Sequence, residues 1–167
     1  MLLATLFAGS GLLTYQVYSW VAKTGTDDLQ LWLQLLTGLP FAVACSLRFM
    51  RPLQRAGTGI LLDAITWVVA FRLGVALAGM MYPPLGLAIA GLVGALGVVA
   101  ATGIGCSRLY SRRTLTGAAL IGALAGSPFG LIVNRSEQEN MILAICFPLW
   151  QIAVGLWIAR RCATTES

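Results

Sequence analysis

Residues 56–105 read AGTGILLDAITWVVAFRLGVALAGMMYPPLGLAIAGLVGALGVVAATGIG, an apolar run with only two charges, Asp63 and Arg72. A bilayer core takes about 20 apolar residues per helix, so this run is long enough to cross twice. Tyr82-Pro83-Pro84 divides it. Proline lacks the N–H for the helical ladder, its ring clashes with the carbonyl four residues back, and it drives the preceding residue out of helical geometry. The run is therefore read as two spans, about 56–81 and 85–105, joined by a tight turn.

The pattern extends outward in both directions. Upstream, LQLWLQLLTGLPFAVACSL at 29–47 is a further apolar run between the polar stretch KTGTDD at 23–28 and the basic stretch RFMRPLQR at 48–55. Before it, residues 2–22 make another. This first run has no basic leader and no clear cleavage site after it, so it is read as a span rather than a secretory signal. Downstream, CSRLYSRR at 106–113 precedes a span at about 114–133, and NRSEQEN at 134–140 precedes the last, at about 141–159. The expected fold is all-α, a polytopic membrane protein of six transmembrane helices in one bundle and one domain, residues 1–167.

Composition agrees. Of 167 residues 58% are hydrophobic and 10% charged, where a soluble domain carries about a quarter charged residues. The net charge of +5 does not point to nucleic acid, because the basic residues sit in short clusters between apolar runs. Arg48, Arg51, Arg55, Arg108, Arg112, Arg113, Arg160 and Arg161 fall on one side, Lys23 and Arg135 on the other, and Arg72 inside a span. Short loops rich in Lys and Arg stay in the cytoplasm. Both termini are thus expected there, in a cell membrane such as the inner membrane of a bacterium.

Small residues recur every fourth position. Ala118, Gly122, Gly126 and Gly130 share one face of the fifth span. Gly86, Ala90 and Gly94, and Gly97, Ala101 and Gly105, mark the fourth, and Ala70, Gly74 and Ala78 the third. Such faces let helix backbones approach closely where lipid removes the hydrophobic drive. Spans three to five are expected to pack tightest. Gly122, Gly126 and Gly130 also offer a face to a partner membrane protein or a second copy. Trp20, Trp32, Tyr82 and Trp157 lie near span ends, where aromatic rings anchor at the headgroups.

The chemistry-bearing residues are few. The chain has no histidine, which removes the commonest ligand of haem and zinc. Its four cysteines form no C-x-x-C pair and are read as structural thiols. No metal or other cofactor is expected. The sequence Gly9-Ser10-Gly11 supplies a hydroxyl without a base, and no enzyme is expected.

What remains is a set of polar residues at membrane depth. A charge there costs at least about 2.5 kcal/mol by insertion scales, so each is a functional candidate. Asp63 and Arg72 stand nine residues apart, about 900° of helix, and point to opposite faces. Asp63 is read either as the partner of a loop arginine such as Arg108 or Arg112, or as a proton or cation site. Arg72 shares the outer half with Gln34 and Gln151, and with Thr66, Thr37 or Ser127 these are expected to line a polar pocket. Its other reading is a guanidinium bonded to carbonyls that Pro40, Pro128 or Pro148 free. The substrate-binding set is thus Arg72, Gln34, Gln151 and Asp63, in a transporter or the membrane subunit of one. The alternative is a non-catalytic scaffold or assembly subunit of a membrane complex, for example cell-envelope machinery.

Two limited resemblances accompany this reading. In size, span number and cytoplasmic termini the chain resembles the substrate-binding subunits of energy-coupling-factor vitamin transporters. Those often carry Ala-x-x-x-Ala on the first helix, a spacing that Ala4 and Ala8 match. The short first loop here departs from their gating loop. Gly59-Ile60-Leu61-Leu62-Asp63, with Leu73-Gly74 downstream, is similar to a Gly/Leu-rich helix with an aspartate in MreD-type cell-shape proteins. Neither resemblance assigns a role to a residue.

Overall fold

The computed structural model describes residues 2–24, 30–49, 53–131 and 139–163. The first polar loop at 25–29, the centre of the first basic loop at 50–52, the second polar loop at 132–138 and the tail lie outside the described residues, as does the Trp32 side chain. The described chain is all-helical. Its six helices are α1 (Leu2–Thr24), α2 (Gln30–Phe49), α3 (Leu53–Met80), α4 (Pro83–Gly103), α5 (Arg112–Gly126) and α6 (Glu139–Ala163). Four segments are long and apolar enough to cross a membrane: Arg55–Met80, Pro83–Gly103, Arg112–Leu131 and Ile142–Ala163. The described apolar part of α2, Gln34–Phe49, is shorter. In α1, Ser10, Thr14, Tyr15, Gln16 and Tyr18 dilute the apolar run.

The double proline starts a helix as well as ending one. Pro83 and Pro84 occupy the first turn of α4, where the missing N–H has no helical partner to lose and the fixed φ suits the helix. Pro128 acts differently. It ends α5 as an α-helix, and the chain continues to Leu131 as a 3-10 turn. The carbonyl that Pro128 deprives of its donor is that of Leu124, four residues back. The Ser127 hydroxyl takes its place, donating to Leu124 O at 3.0 Å. At the other end of α5, Ser111 caps the helix, its Oγ accepting from the Thr114 amide at 3.3 Å.

Each helix packs against its neighbours in sequence, and α1 packs against α6, so the six close into a ring. The neighbours run antiparallel. On α3 and α4 the meeting points are Thr66 with Gly97, Ala70 with Gly94, and Ala78 with Gly86. Between α4 and α5 they are Gly91 with Gly122 and Gly126, then Pro84 with Gly130. A Cβ on Gly91 would collide with the Gly122 carbonyl, and one on Gly126 would lie 2.8 Å from Leu87 O. The small-residue faces of spans three to five are therefore spent inside the chain. Gly122, Gly126 and Gly130, the face expected to suit a partner, lie against α4.

Large side chains point the other way. Leu61, Ile65, Val69, Leu120 and Leu124 are exposed along α3 and α5, as suits helices that bury their small faces and meet lipid with their large ones. Inside the ring lies a core of Phe7, Phe41, Val98, Val99, Leu109, Trp150, Val154 and Ile158.

One end of the bundle collects Arg48, Arg55, Arg108, Arg112, Arg113, Arg160 and Arg161, the first six of them exposed. The connection after α4 is tied down there. Leu109 is fully buried, Tyr110 lies over Gly103, and its hydroxyl donates to Ala100 O at 2.9 Å. Trp20 and Tyr82 are exposed at the opposite end, as anchors would be. Trp157 is not placed as one. Its indole N–H donates to Thr114 O at 3.1 Å, its ring lies on Gly117, and the Arg161 guanidinium sits 4.4 Å from the ring centroid. A glycine on α5 leaves a slot that the indole fills, so the ring serves packing of α6 on α5.

Candidate functional site

The polar residues expected to share a pocket form separate groups. Arg72 is exposed, and its Nε donates to Gln34 Oε1 at 3.0 Å, linking α3 to α2 on the bundle's flank. The guanidinium thus finds a side-chain acceptor rather than a carbonyl freed by proline. Gln151 is fully buried between α6 and α1. Its Nε2 donates to Thr14 Oγ1 at 2.8 Å, and its Oε1 accepts from the Ser10 hydroxyl at 2.6 Å. Phe7 O, at 2.9 Å, is a second acceptor for that hydroxyl. Thr37 donates to Gln34 O and Ser127 to Leu124 O, each on its own helix. Short hydroxyl side chains readily turn back to the backbone in this way, which takes them out of a shared pocket. Thr66 packs on Gly97.

Asp63 is 3% exposed, and neither carboxylate oxygen has a hydrogen-bond partner. It makes no ion pair with Arg108 or Arg112. Those arginines are exposed, Arg108 in the connection after α4 and Arg112 at the first position of α5, whereas Asp63 lies more than two turns into α3, enclosed by its neighbours. Cys45 on α2 lies within electrostatic reach of both Asp63 and Cys162 on α6. The thiols of Cys106 and Cys162 lie close together. Three cysteines far apart in sequence thus gather at the basic end. Among the described residues no three His, Cys, Asp or Glu side chains are arranged to hold a metal ion.

A cavity of about 250 Å³ occupies the half of the ring away from the arginines. Trp67, Gly94 and Trp150 line its deep end, and Val75, Leu87 and Leu143 line the end nearer the opposite face. Val75 is 58% exposed and marks where the cavity reaches the surface. Its remaining wall is largely aromatic: Tyr18 from α1, Phe71 from α3, Phe129 after α5 and Phe147 from α6. These rings brace one another. Phe147 stands 5.2 Å from Phe129, 5.5 Å from Trp67 and 5.7 Å from Tyr18 between centroids, and Trp67 meets Trp150 edge-on at 6.3 Å. Offset and edge-to-face pairs of this kind hold each other in orientation.

None of Arg72, Gln34, Gln151 and Asp63 lines this cavity. The cavity lies in the half of the bundle away from the arginines, the half in which sequence reasoning expects a pocket, but its wall is apolar. The aromatic set was missed because the reading weighed charges and amides at membrane depth. A usable signal was present. Trp67, Phe147 and Trp150 lie in the middle of their spans rather than at the ends, where interfacial aromatics belong. Gly91, Gly94 and Gly126 open the space facing them.

Comparison with known proteins finds no match to the chain among family models, curated proteins or solved structures. The fold and its cavity therefore define the class on their own: an all-helical protein with several helices long and apolar enough to cross a membrane, and an apolar, aromatic-lined pocket among its helices.

Proposed function

We propose that the chain is a small integral membrane protein of transport type. In this reading all six helices span the bilayer, both termini face the cytoplasm, and a solute pocket opens towards the outer side. The antiparallel ring and the gathering of arginines at one end support the topology, because short basic connections resist translocation. The observation that carries the functional reading is the aromatic-lined cavity in the outer half.

Its size and chemistry name the solute class. An engineered apolar cavity of about 150 Å³ takes up benzene, so 250 Å³ suits a neutral molecule of about two fused rings. With no charged side chain in the wall, an anion would lose its hydration for nothing in return. Arg72, Gln34 and Gln151 join helices outside the pocket.

The test is saturable binding of 1-naphthol to the purified protein in nanodiscs, followed by calorimetry. One site per chain is expected. Leu143→Trp, which fills the cavity, lowers the affinity at least tenfold, and Leu120→Trp on the exposed flank leaves it unchanged. Partitioning without saturation, or the same binding in Leu143→Trp, would overturn the reading. The scaffold reading has less support, since the small-residue faces that would dock a partner are covered by this chain's own helices.

A further inference from the structure

Below the cavity floor the ring contains buried polar groups with no partner. Asp63 and Trp67 are four residues apart on α3, so they share one face a turn apart, with Asp63 on the side of the basic end. Trp67 forms part of the cavity floor. The register of the neighbours places what surrounds the carboxyl. Trp67 meets Gly38 on α2, and Thr66 meets Gly97 on α4. Counting along the antiparallel helices, the residues level with Asp63 are Ala42 and a position beside Ala101. Ala42 and Ala101 are buried. Ser46 stands one turn beyond Ala42, and Thr102 follows Ala101. Both are fully buried, and the hydroxyls of both, like the Asp63 oxygens, lack any hydrogen-bond partner.

Three buried side chains from three adjacent helices are thus unsatisfied within a turn of one another along the bundle. An ionised carboxylate in such a place needs a cation or several donors. No arginine pairs with it, and no metal-ligating cluster exists among the described residues. The remaining groups that face it are of the wrong kind. From α2 it meets Cys45, a neutral thiol donor at most, while Arg48 is exposed beyond it. Pro83–Gly103 of α4 contains no titratable side chain. On α3 itself Arg55 is exposed two turns away and Arg72 is engaged by Gln34. On α6 Cys146 and Cys162 are thiols. A proton neutralises the carboxyl without any of these, and the Ser46 and Thr102 hydroxyls, which hydrogen-bond neither to it nor to anything else, add only their dipoles nearby.

We propose that Asp63 is a proton-binding site linked to the pocket above it, protonated when the ring is closed and losing the proton towards the basic end when α2, α3 and α4 loosen. The linkage rests on the pocket holding an apolar solute. Such a solute keeps water out of the cavity, which disfavours a charge one turn below. Solute binding and protonation then favour each other, and the coupling is reciprocal.

Infrared spectroscopy of the full chain in nanodiscs tests the site without any solute. A protonated carboxylic acid has a carbonyl stretch distinct from that of a carboxylate. Five of the six acidic residues, Asp27, Asp28, Glu137, Glu139 and Glu166, fall in the polar stretches between the apolar runs or in the polar tail of the sequence. The band is expected at neutral pH, disappears on strong alkalinisation and is absent in Asp63→Asn. Ser46→Ala or Thr102→Val, which keep the carboxyl, shift its frequency. No such band at neutral pH, or one that survives in Asp63→Asn, would overturn the proton site; if Asp63→Asn does not fold, an unshifted band in both hydroxyl variants does so. The second measurement is affinity against pH for naphthalene, which unlike 1-naphthol has no proton to lose in alkali. It falls at least threefold as the band disappears and stays flat in Asp63→Asn. A flat wild-type profile would overturn the linkage and leave the infrared result standing. Absence of naphthalene binding altogether would remove the pocket reading instead.

Discussion

Gln151 and Arg72 show how much a polar residue's setting decides. Gln151 makes two side-chain hydrogen bonds in a site without solvent, to Ser10 and Thr14. In membrane proteins such bonds average about 0.6 kcal/mol and reach about 1.7. Gln151→Leu removes both and leaves the Thr14 hydroxyl buried, so a loss of about 1–2 kcal/mol is expected, read as a lower melting temperature in detergent. Arg72→Ala breaks a bond of similar length on an exposed flank, where substitutions stay within about 0.5 kcal/mol. If the two variants melt together, burial is not what gives Gln151 its weight. In the sequence the two look alike, as polar residues in the outer half. Only the side on which each helix meets its neighbours separates them.

At the scale of helices, the contact between α4 and α5 depends on glycine backbone. A Cβ at Gly122 would meet Ala95 Cβ and the Gly91 carbonyl, whereas one at Gly9 on α1 would meet nothing within 4 Å. Gly122→Val overpacks the crossing and is expected to cost at least about 2 kcal/mol, within the range for overfilled interiors. Gly9→Ala is expected to be neutral or stabilising, by up to about 1 kcal/mol of helix propensity. Thermal melting of the two proteins in one detergent checks the contrast, and equal destabilisation would count against the crossing. The tight packing of spans three to five was legible from the four-residue spacing of small residues. Which helix each face meets was not, since the same spacing serves a neighbour in the chain or a partner outside it.

The ring as a whole brings distant residues together at the basic end. Cys106 follows α4 and Cys162 lies in the last turn of α6, yet their thiols are neighbours. Mild oxidation with copper phenanthroline is expected to link these two cysteines, detected as a cross-linked peptide by mass spectrometry. A link from Cys106 to Cys146 instead would contradict the arrangement. The topology has its own check. Green fluorescent protein fused after Ser167 is expected to fluoresce, and alkaline phosphatase is expected to be active when fused after Asp28 and inactive when fused after Ser167. An active phosphatase at Ser167 would remove the six-span reading and, with it, the cytoplasmic assignment of the arginines.

Hydropathy and two prolines by themselves determined where the helices lie, because a backbone in lipid must satisfy its own hydrogen bonds and proline interrupts that ladder. Tyr82-Pro83-Pro84 turned out to be both the end of one helix and the first turn of the next. Arginine spacing, likewise local, predicted which connections share an end. The interior was decided by tertiary structure alone. The rotation of each helix about its axis sends Arg72 to the flank, Asp63 into an unpaired setting and Trp67, Phe147 and Trp150 around one cavity. That rotation follows from which small face meets which neighbour, a contact between residues far apart in the chain that no spacing along a single helix records.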